Sequence, residues 1–223
     1  GNHMQVSGGG LPGTYRTIQL HFHWGSASSN GSLEHTLDNM RFPMEMDIVI
    51  VNIKSTHPNL TFALEDATGL AVLGVFIDVR HRVFLHNENF QPIASVLPSV
   101  TYKGQMKSIR PFPLIDLLPQ NNLSQCSRYH GSLTMPPYSQ VVLWTVYKVP
   151  IFISCTEFEQ FVIGIYSTEE DADEKVLLHD NYRHIHPTYS RTMYASKDAK
   201  LLITREETPL IFQLLFSIWT LQH

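Results

Sequence analysis

The run Thr17-Ile-Gln-Leu-His-Phe-His-Trp24 alternates with a period of two, which forces an extended chain whose odd and even side chains face opposite ways. On that pattern His21 and His23 leave the same face of one strand, and so does Gln19. Further strand signals follow. Met44 to Ile53 is rich in Val and Ile, Leu70 to Val79 reads as a buried strand, and Val141 to Tyr147 is another apolar run. Helical signals are few. Ser154 to Ile165 opens with Ser154 as N-cap and Glu157 three residues later, a capping box, and Asn89 to Val96 reads as a second short helix. Gly8 to Gly10, Ser26 to Ser32 and Pro111 to Pro119 read as turns and loops. With no repeat, low-complexity tract or linker, the expectation is one mainly β domain over 1–198, a large twisted sheet with short peripheral helices.

At 223 residues and 43% hydrophobic, the chain is long enough for a substantial core, and its net charge of -4 with no dense Lys/Arg run argues against nucleic acid as a partner. Two cysteines, Cys126 and Cys155, fit either free thiols or a disulfide. Sequons at Asn30, Asn59 and Asn122 lean toward secretion. Residues 199–223 read as a polar spacer and a hydrophobic tail, Pro209 to Leu221, too short to span a bilayer as a helix. The pattern is that of a lipid-anchor signal with Ser196 as attachment site, and the alternative is an amphipathic terminal helix docked on the domain.

Two histidines on one strand face are a weak metal signal until a third ligand joins them, because a catalytic zinc takes three protein ligands and keeps one position open. The strand Glu45-Met-Asp47-Ile-Val49 offers that third ligand, with Glu45, Asp47 and Val49 on one face.

Here Gln19-Leu-His21-Phe-His23-Trp24-Gly25, Glu34-His35-Thr36 and Met44-Glu45-Met46 resemble the zinc-site signature of the α-class carbonic anhydrases. Gly131-Ser-Leu-Thr134-Met-Pro-Pro137 ahead of Val142-Leu-Trp144, and Asn181-Tyr182-Arg183 with the later Arg191, resemble later family segments. Gly8-Gly-Gly-Leu-Pro12, the Met-Glu-Met triplet and the tail are most similar to the membrane-anchored extracellular branch. The resemblance implies zinc as cofactor and carbon dioxide and bicarbonate as substrates, with His21 and His23 as metal ligands and Gln19 orienting one of them. It implies that Thr134 accepts a hydrogen bond from the nucleophile and passes its own to Glu34. It also implies an apolar substrate pocket of Val49, Val72, Leu133 and Trp144, and places His3 close to the family's proton-shuttle histidine.

The pattern breaks at one ligand. Counting from Glu34-His35, the family's third zinc histidine falls at position 47, where this chain has Asp47. An aspartate oxygen reaches as far as the inner nitrogen of histidine but cancels one unit of metal charge, so weaker binding and slower turnover are expected. Glu45, which would support that histidine, instead shares a strand face with a second carboxylate, and the repulsion needs zinc, His35 or a proton to offset it. Leu33 reads as an insertion before Glu34, Met135 stands where the family has Thr, and Tyr138 stands where the extracellular branch has a cysteine. The match begins inside the family domain, giving the expectation of an N-terminally truncated fold. Two readings follow: an impaired zinc lyase, or a catalytically silent binding or adhesion module.

Overall fold

The computed structural model describes residues 4–27, 34–53, 63–80, 87–120 and 122–196, and the backbone of 201–203, 207–208 and 211–213. Strands β1 (Gln5–Gly8), β2 (Tyr15–Trp24), β3 (Met44–Asn52), β4 (Leu70–Arg80), β7 (Cys126–Gly131), β8 (Val142–Ser154), β9 (Tyr194–Ala195) and β10 (Leu201–Ile203) form one sheet in the order β10-β1-β2-β3-β4-β8-β7-β9. Every pairing is antiparallel except β4 with β8. Those two strands are separated by the short helix Gln91–Ala94, two 3-10 turns, β5 (Met106–Ser108), β6 (Phe112–Pro113) and β7, the long crossover that parallel neighbours require.

Three strands at the centre are wide, apolar and covered on both faces, which is why β3 is buried at all nine positions. Alternation then splits its side chains into two cores. Met44, Met46, Ile48 and Ile50 join Phe22, Trp24, Leu73 and Phe161 in the larger one. Val49 and Val51 join Val72, Phe76, Trp144 and Val146 in the smaller one on the opposite face. The polar groups discussed below all belong to that second face.

Helix Cys155–Val162 closes the larger core, with Phe161 packed edge-on against Trp24 at 5.3 Å. Its start is fixed as the sequence predicts: Ser154 Oγ accepts from the Glu157 amide, and Glu157 Oε2 accepts from the Ser154 amide and hydroxyl. It ends at Val162 rather than Ile165, just ahead of Gly164, where a Cβ would lie 2.3 Å from the Gln160 carbonyl oxygen. The segment 111–119, expected as loop, contains β6 (Phe112–Pro113) and a 3-10 turn over Leu114–Leu117 that buries Leu114 and Leu117. Apolar spacing of three, rather than 3.6, had concealed it.

Cys126 and Cys155 are both free thiols. The described pieces of the tail are strands, not helix. β10 pairs with β1, β11 (Glu207–Thr208) with β6, and β12 (Ile211–Gln213) with β5 (Met106–Ser108). No helix among the described residues is long and apolar enough to cross a membrane. His3, Asn30, Leu33 and Asn59 lie outside the described residues.

The Ser154 cap is buried and used twice, so Ser154→Ala is expected to lower stability by about 1 kcal/mol. Urea titration of the two proteins side by side measures that difference.

Candidate metal centre

The register of β2 against β3 sets His21 opposite Asp47, His23 opposite Glu45 and Gln19 opposite Val49. β4 continues each row, with Gly74 beside Asp47 and Val72 beside Val49, and β8 adds Trp144 beside Val72. One face therefore carries donors at one end of each row and apolar groups at the other.

His21, His23 and Asp47 converge there. Each offers a ligand atom within 4.8 Å of the others'. Asp47 Oδ2 lies 3.6 Å from His21 Nε2 and 3.4 Å from His23 Nε2. A tetrahedral zinc site with bonds of about 2.0–2.2 Å has ligand-to-ligand edges of about 3.3–3.6 Å, so both Asp47 edges fit the ion. Satisfaction points the same way. His23 Nε2 and both oxygens of Asp47 are buried without a hydrogen-bond partner, a costly state for polar atoms unless a cation or protons meet them.

The imidazoles are aimed from behind. His23 Nδ1 donates to the Asn181 carbonyl at 2.7 Å, leaving Nε2 turned to the site. Gln19 Nε2 lies 3.3 Å from His21 Nδ1, holding that ring by its outer edge. Asn181 also accepts from the Trp24 amide at 2.7 Å and donates to the Phe22 carbonyl at 3.1 Å, so its side chain grips the backbone of β2 on either side of His23. Sequence reasoning gave Asn181 no role; the motif Asn181-Tyr182-Arg183 was the available signal.

The two carboxylates on β3 coexist because each has its own counter-group. Glu45 Oε1 accepts from His35 Nδ1 at 2.6 Å and Oε2 from the His35 amide at 3.3 Å. Burial alone would lower the His35 pKa, but Glu45 and Tyr129 outweigh it and hold it well above the usual value. Its Nε2 meets Tyr129 Oη at 2.5 Å. Glu45 is thus engaged with His35 rather than with a metal ligand. Gly74 makes room for the pair, since a Cβ there would stand 3.1 Å from Glu45 Oε1 and 3.4 Å from Asp47 Oδ1.

Glu34 lies behind His23, its Oε1 3.7 Å from His23 Nδ1 and accepting from the Arg183 amide at 3.3 Å, while Oε2 is buried without a partner. Burial raises its pKa, His23 partly lowers it, and Asp47 and Glu45 raise it again, to about 7. Thr134 and Glu34 line one cavity of about 200 Å³ with His35, Trp144 and Arg183, without a hydrogen bond between them. Val49, Val72 and Trp144 are buried in the smaller core, and Leu133 packs against it.

Without metal, protons take its place. Burial would lower the His23 pKa, but Glu34 and Asp47 raise it to about 10, while the same imidazoles overcome burial to hold Asp47 well below the carboxylate range. Metal binding at pH 7.5 is therefore expected to expel the His23 proton, and affinity should climb with pH until that proton is lost near 10. Calorimetric zinc titrations in buffers of different ionisation enthalpy count the released proton.

The chain matches the eukaryotic-type carbonic anhydrase family over residues 1–197. It is 38% identical over 193 residues to carbonic anhydrase 4 of Mus musculus, covering 86% of this chain and 59% of that protein. It is 35% identical over 204 residues to carbonic anhydrase 4 of Oryctolagus cuniculus, covering 91% of this chain and 63% of the relative. Against mitochondrial carbonic anhydrase 5A of Homo sapiens it is 33% identical over 194 residues, covering 87% and 60%. The chain spans about three-fifths of the length of these relatives. With a β sheet presenting two imidazoles and a carboxylate on one buried face, and this match along most of its length, the chain belongs to the eukaryotic-type carbonic anhydrase family.

Proposed function

We propose that this chain catalyses the reversible hydration of carbon dioxide to bicarbonate and a proton, at reduced efficiency, with zinc held by His21, His23 and Asp47. The observation that carries this reading is the convergence of those three donors, two of them with unpartnered buried atoms, on the face that also holds the apolar cluster. Zinc, when bound, supplies a Lewis acid that makes water nucleophilic near neutral pH.

The protein's own groups do the rest. Asn181 and Gln19 hold the two imidazoles from behind and limit the reorganisation that metal binding requires. Thr134 accepts a hydrogen bond from the attacking water and donates its own to the open Oε2 of Glu34, which turns the nucleophile's lone pair toward the substrate. Glu34 accepts more strongly when ionised, and burial beside Asp47 and Glu45 raises its pKa, so low pH weakens that acceptor. Val49, Val72, Leu133 and Trp144 offer carbon dioxide an apolar wall from which water is excluded. His3 is the proposed proton carrier, on the sequence resemblance alone.

Asp47 is read as standing where the family has its third histidine. Its charge offsets one unit of the metal's, which makes water less acidic and leaves less nucleophile at pH 7. The same substitution favours a second reading, a silent family member kept as a binding or adhesion module. Placement outside the cell, on a lipid anchor after Ser196, belongs to the proposal too. It is supported by the polar-then-apolar tail and by the sequon Asn122, which sits in a partly exposed turn. Ser196 is half-buried and bonded to Cys126, so anchoring there requires that contact to open.

Stopped-flow hydration assays test the enzyme reading. Zinc-loaded protein is expected to show chelator-sensitive turnover that falls as pH drops, and Asp47→His to raise kcat/KM by at least about tenfold. Zinc bound at one equivalent with no turnover in either protein would sink it. Turnover in the histidine variant alone would favour the silent module.

A further inference from the structure

The donor set itself is the feature that the hydration chemistry does not explain. Three imidazoles are a common catalytic zinc set; two imidazoles and one carboxylate, with positions left open, hold zinc in some proteins and non-haem iron(II) in others. His21, His23 and Asp47 form such a set by their residue types and by their edges of 3.4 and 3.6 Å.

Two details of this chain push further in the same direction. The first is that neither oxygen of Asp47 is engaged by a hydrogen-bond donor. Oδ2 faces the imidazoles, and Oδ1 lies over Gly74, whose missing side chain leaves it room. A histidine at this position gives one ligand atom, whereas Asp47 has a second oxygen to give, which raises the attainable coordination number. The second is the distribution of burial. Side chains of His23 and Asp47 are 2% and 0% exposed, against 15% for His21, so the site opens to solvent on the His21 side, where water ligands can complete a larger shell.

We propose that Asp47 narrows this centre's preference for zinc and favours five- and six-coordinate divalent ions of the iron(II), cobalt(II) and manganese(II) class. The inference rests on His21, His23 and Asp47 being metal ligands, as in the proposed function, but not on carbon dioxide hydration. Zinc keeps its general advantage over iron(II) and manganese(II) in affinity; what narrows is the margin.

The test compares the full chain with Asp47→His and with the near-isosteric Asp47→Asn, using metals alone. Chelator-buffered competition gives the zinc-to-manganese(II) affinity ratio for each protein, and visible absorption of the anaerobic cobalt(II) form reports coordination number. The expected result is a ratio smaller by roughly tenfold or more in the chain than in Asp47→His. The chain's cobalt(II) bands should be weak, as for five or six ligands, against intense tetrahedral bands in the histidine variant. Asp47→Asn, which keeps the shape and loses the charged second oxygen, is expected to lose manganese(II) binding more than zinc binding, and it serves if Asp47→His does not fold. Intense tetrahedral bands and an unchanged ratio would overturn the inference while leaving the zinc reading intact. Absence of binding by any of these metals would overturn both.

Discussion

The antiparallel register between β2 and β3 is the constraint on which the site depends. It sets His21 across from Asp47 and His23 across from Glu45, and a slip of β3 by one residue would turn Glu45 and Asp47 into the larger apolar core. What prevents the slip is the burial of both faces of β3. Met44, Met46, Ile48 and Ile50 cannot be traded for Glu45 and Asp47 without driving carboxylates into hydrocarbon. The packing of the larger core thus holds the polar face in place.

Burying that much charge is costly, and the structure offsets it by pairing. Glu45 is assigned to His35, which in turn meets Tyr129; Asp47 is left to His21 and His23. The division explains how two carboxylates two residues apart share one strand face. It also leaves Asp47 free of hydrogen bonds, and therefore available to a cation. Gly74 is part of the same solution, since a side chain there would press on the Glu45 carboxylate and touch that of Asp47.

Function follows from the contrast between the two halves of that face. Charged donors gather over β2 and β3, while Val72, Trp144 and their neighbours keep the flank over β4 and β8 apolar. Donors and apolar side chains thus meet along one boundary on this face.

Much of this was legible in the sequence, because period-two alternation is local. His21 and His23 on one face, Glu45 with Asp47 and Val49 on another, and the Ser154–Glu157 capping box all follow from spacing, and all are present in the fold. Other features were not legible, because they depend on residues far apart in the chain. Asn181 reaches His23 across 158 positions, and Tyr129 reaches His35 across 94. Only tertiary packing could assign His35 to Glu45, choose the parallel pairing of β4 with β8, or lay tail strands against β1, β5 and β6. Residue order fixes which way a side chain points along its own strand; which partner it meets depends on how strands distant in sequence are stacked, and that is settled by burial of the whole sheet.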